Sequence, residues 1–210
     1  ICLGVMRVTP DKDEIRENQA ESNGHRWGKQ IFFMGIAILG IGLFWMQKDH
    51  YKAYQQWNKA QMFYNNKAYE AALEVYEPLY PLLKHKPEFL FEAAQSLSKT
   101  GQYEKANEYL ERAVLLSSDP MLYYVMAKNE QCLGEYRQAE KHLLHAIDIL
   151  PERIYPYYLL MNLYTEPSYF QPAKLKMAID SVLTKKPKVE SSAIKEMKEK
   201  ARSMLNNTSI

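Results

Sequence analysis

A pattern that recurs every 33–34 residues constrains this sequence more than any other feature. Tyr69, Tyr103 and Tyr136 occupy corresponding places in three segments, so the step is 34 and then 33 residues. A small residue follows each tyrosine by three positions and a large one by seven: Ala72, Ala106, Ala139, Tyr76, Leu110 and Leu143. Positions that recur in phase are typical of stacked repeats, because a single unit cannot bury its apolar face alone.

The spacing and residue types resemble the tetratricopeptide (TPR) pattern, in which each repeat is a helix–turn–helix unit of 34 residues. Alanine lets the two helices, A and B, pack closely, and Gly101 and Gly134 suit the tight turn between them. Lys67 takes that place in the first unit. The sequence therefore predicts an all-α, TPR-like α-solenoid of about three to four repeats with a C-terminal capping helix.

The repeats are expected at about residues 53–86, 87–120, 121–153 and 154–187, with the cap at 191–205. These four units and the cap form one predicted domain, 48–206. Pro120 and Pro151 are interpreted as closing the second and third units. In the degenerate fourth unit, the loop at 166–171 is longer than the standard turn.

An apolar run at residues 31–46, IFFMGIAILGIGLFWM, precedes the repeats and contains no charged side chain. Trp and Lys residues flank it, as they commonly do at membrane interfaces. A spanning helix needs about 17–25 residues, so we predict one transmembrane helix at 31–47. The alternatives, a signal peptide and a buried core helix, are less favoured, because aromatic residues close the run and an all-round apolar helix needs apolar surroundings.

Residues 1–30 are interpreted as the end of a preceding span followed by a cytoplasmic loop. Residues 1–6, ICLGVM, are apolar, whereas 7–30 are polar, mixed in sign and interrupted by Pro10, which predicts a loop or a short surface helix. The distribution of Lys and Arg leans slightly toward a cytoplasmic 7–30, which would place 48–210 on the far side of the membrane.

The net charge and the small number of Cys and His residues argue against nucleic-acid binding, a disulfide framework, a metal site and catalysis. A net charge of +2 gives no reason to expect a nucleic-acid partner. Cys2 and Cys132 are too few for a disulfide framework or a cysteine-built zinc site. His142 and His145 are three apart on a predicted helix, but a solvated helix surface is favoured over metal, and Cys132 is expected to be structural. We predict no catalytic residue, no metal site and no cofactor in this chain.

What remains is a surface, because the A helices of stacked repeats line a groove. The register of the repeats predicts the following groove residues: Trp57, Gln61, Tyr64, Phe91, Gln95, Lys99, Tyr124, Lys128, Gln131 and Tyr157. Aromatic rings with polar tips and amide groups suit an extended peptide or a glycan. The alternative, that each aromatic residue packs between repeats, is about equally favoured.

The part of the chain from 31 to 205 also resembles the C-terminal region of bacterial O-antigen ligase family proteins. The resemblance is carried by AYQQWNKAQMFY (53–64), YPLLKHKPEFLFEAAQSLSKTGQYEKANEYL (80–110), SSDPMLYYVMAKN (117–129), ILPERIYPYYLLMNLY (149–164) and KKPKVESSAIKEMKEKAR (185–202). These relatives are polytopic inner-membrane proteins with a periplasmic TPR tail.

The resemblance implies a non-catalytic periplasmic region, 48–210, of a bacterial inner-membrane glycosyltransferase that moves a lipid-linked glycan onto an acceptor of lipopolysaccharide type. It implies an upstream polytopic membrane domain in the same polypeptide, which would hold the catalytic residues. Whether the parent is a ligase or a polymerase stays open. The alternative is a single-span, membrane-anchored TPR scaffold that only assembles proteins.

Overall fold

A computed structural model describes residues 12–187 and 189–207. The chain divides into two compact units, Ile1–Lys52 and Ala53–Ile210. Throughout the described ranges the regular structure is helical, with no strand among those residues. This agrees with the predicted all-α fold.

Helix α1, Lys12–Asn65, contains the predicted span. It begins at Lys12, so the segment predicted as a loop or short surface helix is helical from there, while residues 1–11 lie outside the described part. Every side chain at 32–45 is exposed. Within the described residues, one helical segment, Phe32–Asn65, is long and apolar enough to cross a membrane by length and composition. The span at 31–47 and its orientation stay predictions.

The second unit is a series of helical hairpins. Its helices are the end of α1 with α2 (Tyr69–Leu83), α3 (Pro87–Lys99) with α4 (Tyr103–Val114), α5 (Pro120–Leu133) with α6 (Tyr136–Ile149), α7 (Tyr155–Leu163) with α8 (Pro172–Thr184), and α9 (Ser192–Asn207). From α2 onward each helix packs against the next, and α3 contacts α5, α5 contacts α7, and α7 contacts α9. The A helices therefore lie side by side.

Prolines mark where several helices begin. Pro87, Pro120 and Pro172 stand in the first turns of α3, α5 and α8, where a missing N–H costs no helical hydrogen bond. The interpretation of Pro120 as the end of the second unit was wrong, because it opens α5. The Asp119 carboxylate caps that helix by accepting a hydrogen bond from the Met121 N–H, 2.9 Å away. The long loop at 166–171 contains a single 3-10 turn, Pro167–Tyr169.

The repeating alanines are buried inside the hairpins. Ala72, Ala106 and Ala139 are completely inaccessible to solvent. The large residues seven places after the tyrosines, Tyr76, Leu110 and Leu143, are buried against them. The core forms two clusters, one from the first two repeats and the start of α5, and one from α5 to α9. The cap contributes Ala201 to the second cluster, so α9 covers the apolar end of the stack.

The turn between A and B helices requires a left-handed backbone conformation. The angle φ is 81° at Gly101 and 77° at Gly134, and Lys67 adopts the same conformation with φ of 61°. Glycine reaches this region without a steric cost, whereas a side chain is strained there by roughly 1–2 kcal/mol. Lys67 thus takes up the glycine conformation despite its Cβ.

We expect Lys67→Gly to raise the free energy of unfolding by about 1 kcal/mol and Gly101→Ala to lower it by a similar amount. Urea unfolding of the full chain in mild detergent, followed by far-UV circular dichroism, measures both changes. Gln102→Ala, next to Gly101 and exposed, is the matched control and should change the value by less than about 0.5 kcal/mol. A destabilised Lys67→Gly variant would contradict the explanation.

Candidate functional site

The face formed by the A helices is joined across repeats by hydrogen bonds centred on Glu92 of α3. Its carboxylate accepts from the Trp57 indole N–H at 2.7 Å and from the Gln61 amide at 2.8 Å, both on α1. It also accepts from the Tyr76 hydroxyl at 3.1 Å, on α2. Burial, followed by the charge and hydrogen bond of Glu92, raises the pKa of Tyr76 well above its ordinary value. Glu92 therefore fixes the first repeat onto the second.

Two further side-chain bonds fix glutamines along the same face. The Tyr64 hydroxyl donates to the amide oxygen of Gln95 on α3. The Gln131 amide on α5 donates to the carboxylate of Glu166, 2.7 Å away, just after α7. Gln61, Gln95 and Gln131 are all half-buried. We call these three residues the glutamine ladder. Each of the first three A helices carries one of these glutamines, and the neighbouring repeat holds its side chain in place.

Tyr124 lies in the core and not on an open groove. Only 6% of its surface is exposed, and its ring meets that of Tyr155 edge-on at 5.1 Å between centroids. Its hydroxyl is buried without a hydrogen-bond partner among the described residues. Burial raises the pKa of Tyr124, with Arg153 opposing this effect. For this residue the structure favours the alternative of packing between repeats.

Tyr157 is also placed apart from the other predicted groove residues. Its hydroxyl donates to the Pro151 carbonyl at 3.3 Å, and the Lys185 ammonium lies 4.9 Å from its ring centroid. The neighbouring Tyr158 instead faces the cap, where Lys200 lies 5.3 Å from its ring and donates to Asn162.

The remaining predicted groove residues are at least partly accessible to solvent. Lys99 and Lys128 are exposed, and Phe91 is half-buried against the first core cluster. Lys99 follows Gln95 by four residues and Lys128 precedes Gln131 by three, so each lysine shares a helix face with a member of the glutamine ladder. The arrangement offers amide groups and cations and no nucleophile.

The acidic residues that organise these contacts are absent from the groove residues predicted from the sequence. Glu140 is a second example, because it accepts hydrogen bonds from the hydroxyls of Tyr164 and Tyr169 and from Lys174, all between 2.6 and 2.7 Å. Burial acts to raise the pKa of Glu140, but these bonds outweigh it and hold the pKa below its ordinary value. The sequence feature that could have indicated the role of Glu92 is its place as one acidic residue inside the apolar stretch FLFEAAQSL.

The two histidines and the cysteine for which no metal-binding or catalytic role is predicted make packing and hydrogen-bond contacts or lie at the surface. His142 Nδ1 lies 2.9 Å from the buried Glu130 carboxylate, and the His145 ring packs edge-on to Tyr123. Within the ranges that the structure describes, no group of three or more His, Cys, Asp or Glu side chains is arranged to hold a metal ion. Cys132, expected to be structural, is an exposed free thiol at the end of α5.

A cleft of about 810 Å³ lies between the α5–α6 turn and the loop that precedes α8. It is lined by residues 134–138 and 167–171. Tyr136 and Tyr169 within this lining stack on each other, with centroids 5.6 Å apart. Because the two rings are occupied by each other, the cleft offers mainly its Arg137 and Glu135 charges and an exposed Phe170.

We expect two conservative substitutions to have opposite effects. Tyr124→Phe removes a buried hydroxyl that has no partner and should raise the free energy of unfolding by about 1 kcal/mol. Tyr76→Phe removes a hydroxyl bonded to Glu92 and should lower it by about 1 kcal/mol. Urea unfolding under identical conditions compares them. Destabilisation by both variants would mean that the Tyr124 hydroxyl has a partner after all.

A family model described as "Anaphase-promoting complex, cyclosome, subunit 3" matches residues 65–146. No curated protein matches the chain.

Solved structures of low sequence identity share the fold. A crystal structure of the MamA protein has a TM-score of 0.58 at 17% identity and covers 73% of this chain and 88% of its own. MamA 41-end from Desulfovibrio magneticus RS-1 has a TM-score of 0.58 at 19% identity, with 76% and 98% covered. A putative kinesin light chain with nearly identical TPR-like repeats from Podosopora anserina has a TM-score of 0.56 at 17% identity, with 75% and 88% covered. The chain therefore carries an all-helical, TPR-like repeat solenoid.

Proposed function

We propose that the chain is a TPR-like scaffold that binds an extended segment of a protein partner along its A-helix face. The glutamine ladder is the observation that carries this proposal. Each of its amides is bonded to a neighbouring repeat, so little side-chain freedom is lost when a ligand binds. A side chain that is already fixed is a better hydrogen-bonding partner than a mobile one.

The ladder retains hydrogen-bonding capacity after these internal bonds. A glutamine amide has two N–H donors and an oxygen with two acceptor sites, and each internal bond uses one of them. Gln61 and Gln131 each donate one N–H, and Gln95 accepts through its oxygen. The unused groups match the alternating N–H and C=O groups of an extended peptide, which are sequence-independent features of any protein segment.

Charge favours acidic residues in that segment. Lys99 and Lys128 are exposed on the same helix faces as the ladder. Of the acidic residues at the same face, Glu92 is already satisfied by three internal hydrogen bonds and Glu166 accepts from Gln131, whereas Glu88 is exposed. A partner with carboxylates beside its backbone would place them near the two ammonium groups, which also speeds association.

We further propose that residues 31–47 anchor this scaffold in a membrane. Support comes from the apolar composition of the segment and from the exposure of its side chains around the whole helix at 32–45. A helix that is apolar on every side is stable only in apolar surroundings. The bacterial inner membrane as its location, with 48–210 periplasmic, belongs to the same proposal.

The C-terminal region of an O-antigen ligase-type glycosyltransferase is the second candidate. The order of features favours it, since an apolar segment leads directly into TPR-like repeats, as the sequence resemblance implies. Under this proposal the A-helix face would hold a glycan, an acceptor or a partner enzyme. Neither the matching family model nor the structures compared above is an O-antigen ligase.

Photocrosslinking tests the binding face directly. With a benzophenone amino acid in place of Lys128, we expect a protein adduct in the membranes of the source cells, and none with the same residue in place of Lys141 on α6. Gln95→Ala should reduce the Lys128 adduct severalfold, whereas the exposed Gln138→Ala should not. Circular dichroism controls for folding. Equal adducts from positions 128 and 141 would contradict the proposed binding face.

The mass of the native protein distinguishes the two candidates. An antibody against 48–210 should detect a carbonate-resistant band far above 24.6 kDa if the repeats belong to a polytopic transferase. A carbonate-resistant band close to 24.6 kDa would exclude the transferase and leave the anchored scaffold. A band released by carbonate would contradict the membrane anchor in both candidates.

A further inference from the structure

The two edges of the repeat stack differ in chemistry. Because helices alternate in direction along a series of hairpins, every A helix begins at one edge and ends at the other. We call the edge that carries the connections from B to A helices the linker edge: residues 84–86, 115–119, 150–154, 185–187 and 189–191. The opposite edge carries the turns from A to B helices and is called the turn edge: residues 66–68, 100–102, 134–135 and 164–171.

Large apolar side chains project from the linker edge. Leu115 is 83% exposed, Val189 is 75% exposed, and Leu116 and Leu150 are exposed as well. On the turn edge, Phe170 is the exposed large apolar residue among those described. An exposed leucine on its own needs no explanation, but their recurrence in three successive connections of one edge marks an apolar surface.

Basic residues flank these apolar side chains. Lys84, Arg153 and Lys186 are exposed in the linker-edge connections. Arg112 belongs to the same edge, because its Nε donates to the Lys84 carbonyl at 2.9 Å. Among the acidic residues of this edge, Asp119 is already engaged as the cap of α5, while Glu152 and Glu190 are exposed and Glu108 and Glu111 line a shallow depression beside Leu115. The connections themselves hold more basic than acidic residues.

The chain also enters the repeats at the linker edge. Ala53 is the first residue of the second unit and lies at the start of the first A helix. The exposed apolar stretch 32–45 precedes it by only seven residues of sequence. If that stretch crosses a bilayer, covalent connection keeps the start of the first A helix close to the membrane surface.

We propose that the linker edge contacts the surface of an anionic lipid bilayer, with Leu115, Leu150 and Val189 at the level of the lipid headgroups and Lys84, Arg153 and Lys186 beside the lipid phosphates. This inference rests on the membrane anchor proposed above. Exposed apolar side chains in three of the four connections, with basic residues on the same edge, suit an interfacial contact. The aliphatic groups enter the interface while the ammonium and guanidinium groups stay at the phosphates. A contact of this kind would leave the A-helix face and the turn edge open to water.

Depth-dependent quenching of a fluorescent label tests the proposal on the full chain in vesicles of phosphatidylcholine with one-quarter phosphatidylglycerol. In a Cys2→Ser, Cys132→Ser background, an NBD label is placed at Leu115→Cys or, separately, at Val189→Cys. The matched control carries the label on native Cys132 at the turn edge, with Cys2→Ser alone. A label at Leu39→Cys reports on the anchor independently.

We expect a nitroxide on the lipid headgroup to quench the labels at 115 and 189 at least threefold more strongly than the label at 132. The reversal Lys84→Glu with Lys186→Glu should reduce this quenching. The reversal Lys67→Glu on the turn edge, together with Arg137→Glu in the adjoining first turn of α6, should not. A nitroxide deep in the acyl chains should quench the label at 39. Vesicles of phosphatidylcholine alone should weaken quenching at 115 and leave it unchanged at 39.

The outcomes separate the two proposals. Quenching at 39 without quenching at 115 or 189 would overturn the linker-edge contact and leave the anchor intact. Quenching at 115 and 189 without quenching at 39 would support a peripheral contact and overturn the anchor. Labels at 115 and 189 that are shielded from aqueous iodide yet insensitive to lipid nitroxides would show that protein covers the edge, which would overturn the lipid proposal.

Discussion

Close approach of the two helices in each repeat is the constraint on which the rest of this structure depends. The fully buried Ala72, Ala106 and Ala139 permit it, since a larger side chain at any of these places would push the helices apart by overpacking. Once the hairpins are tight, Tyr76, Leu110 and Leu143 reach the seam between units and bury the face that a single hairpin would expose. Stacking, and the cap that ends it, follow from this packing.

Apolar packing alone specifies the position of neighbouring repeats only loosely, and the half-buried carboxylates of Glu92 and Glu140 fix it through directional hydrogen bonds. Glu92 joins α1, α2 and α3, and Glu140 joins α6 to Tyr164 and to Tyr169 and Lys174 around the long loop. A displaced repeat would leave several donors without partners, which costs more than the net gain from each bond. The same bonds that set the spacing of the repeats also immobilise the glutamine ladder, so stability and the proposed binding face share one network.

The sequence predicts the fold well and the surface poorly, and the reason is physical. Periodicity reports packing within and between helices, so it predicts the all-helical, TPR-like fold with its succession of helical hairpins. Hydrogen bonds between repeats join residues about 31–35 apart, such as Trp57 with Glu92, and no local pattern encodes them. The hydrogen bond of Tyr157 to the Pro151 carbonyl and the packing of Tyr124 against Tyr155 depend on how neighbouring helices meet.

The repeat unit also explains why one face and one edge can serve different partners. The A-helix face is built from helix interiors, where side chains are fixed by bonds across repeats and suit a defined polypeptide. The linker edge is built from connections of variable length, and Leu115 and Val189 project freely from them. Fixed polar groups favour recognition of one ligand geometry, whereas exposed apolar and basic groups suit a fluid surface with no fixed geometry. The proposed scaffold, which would hold a protein segment near a membrane, needs both kinds of surface, and the helical hairpin places them on different sides of the same stack.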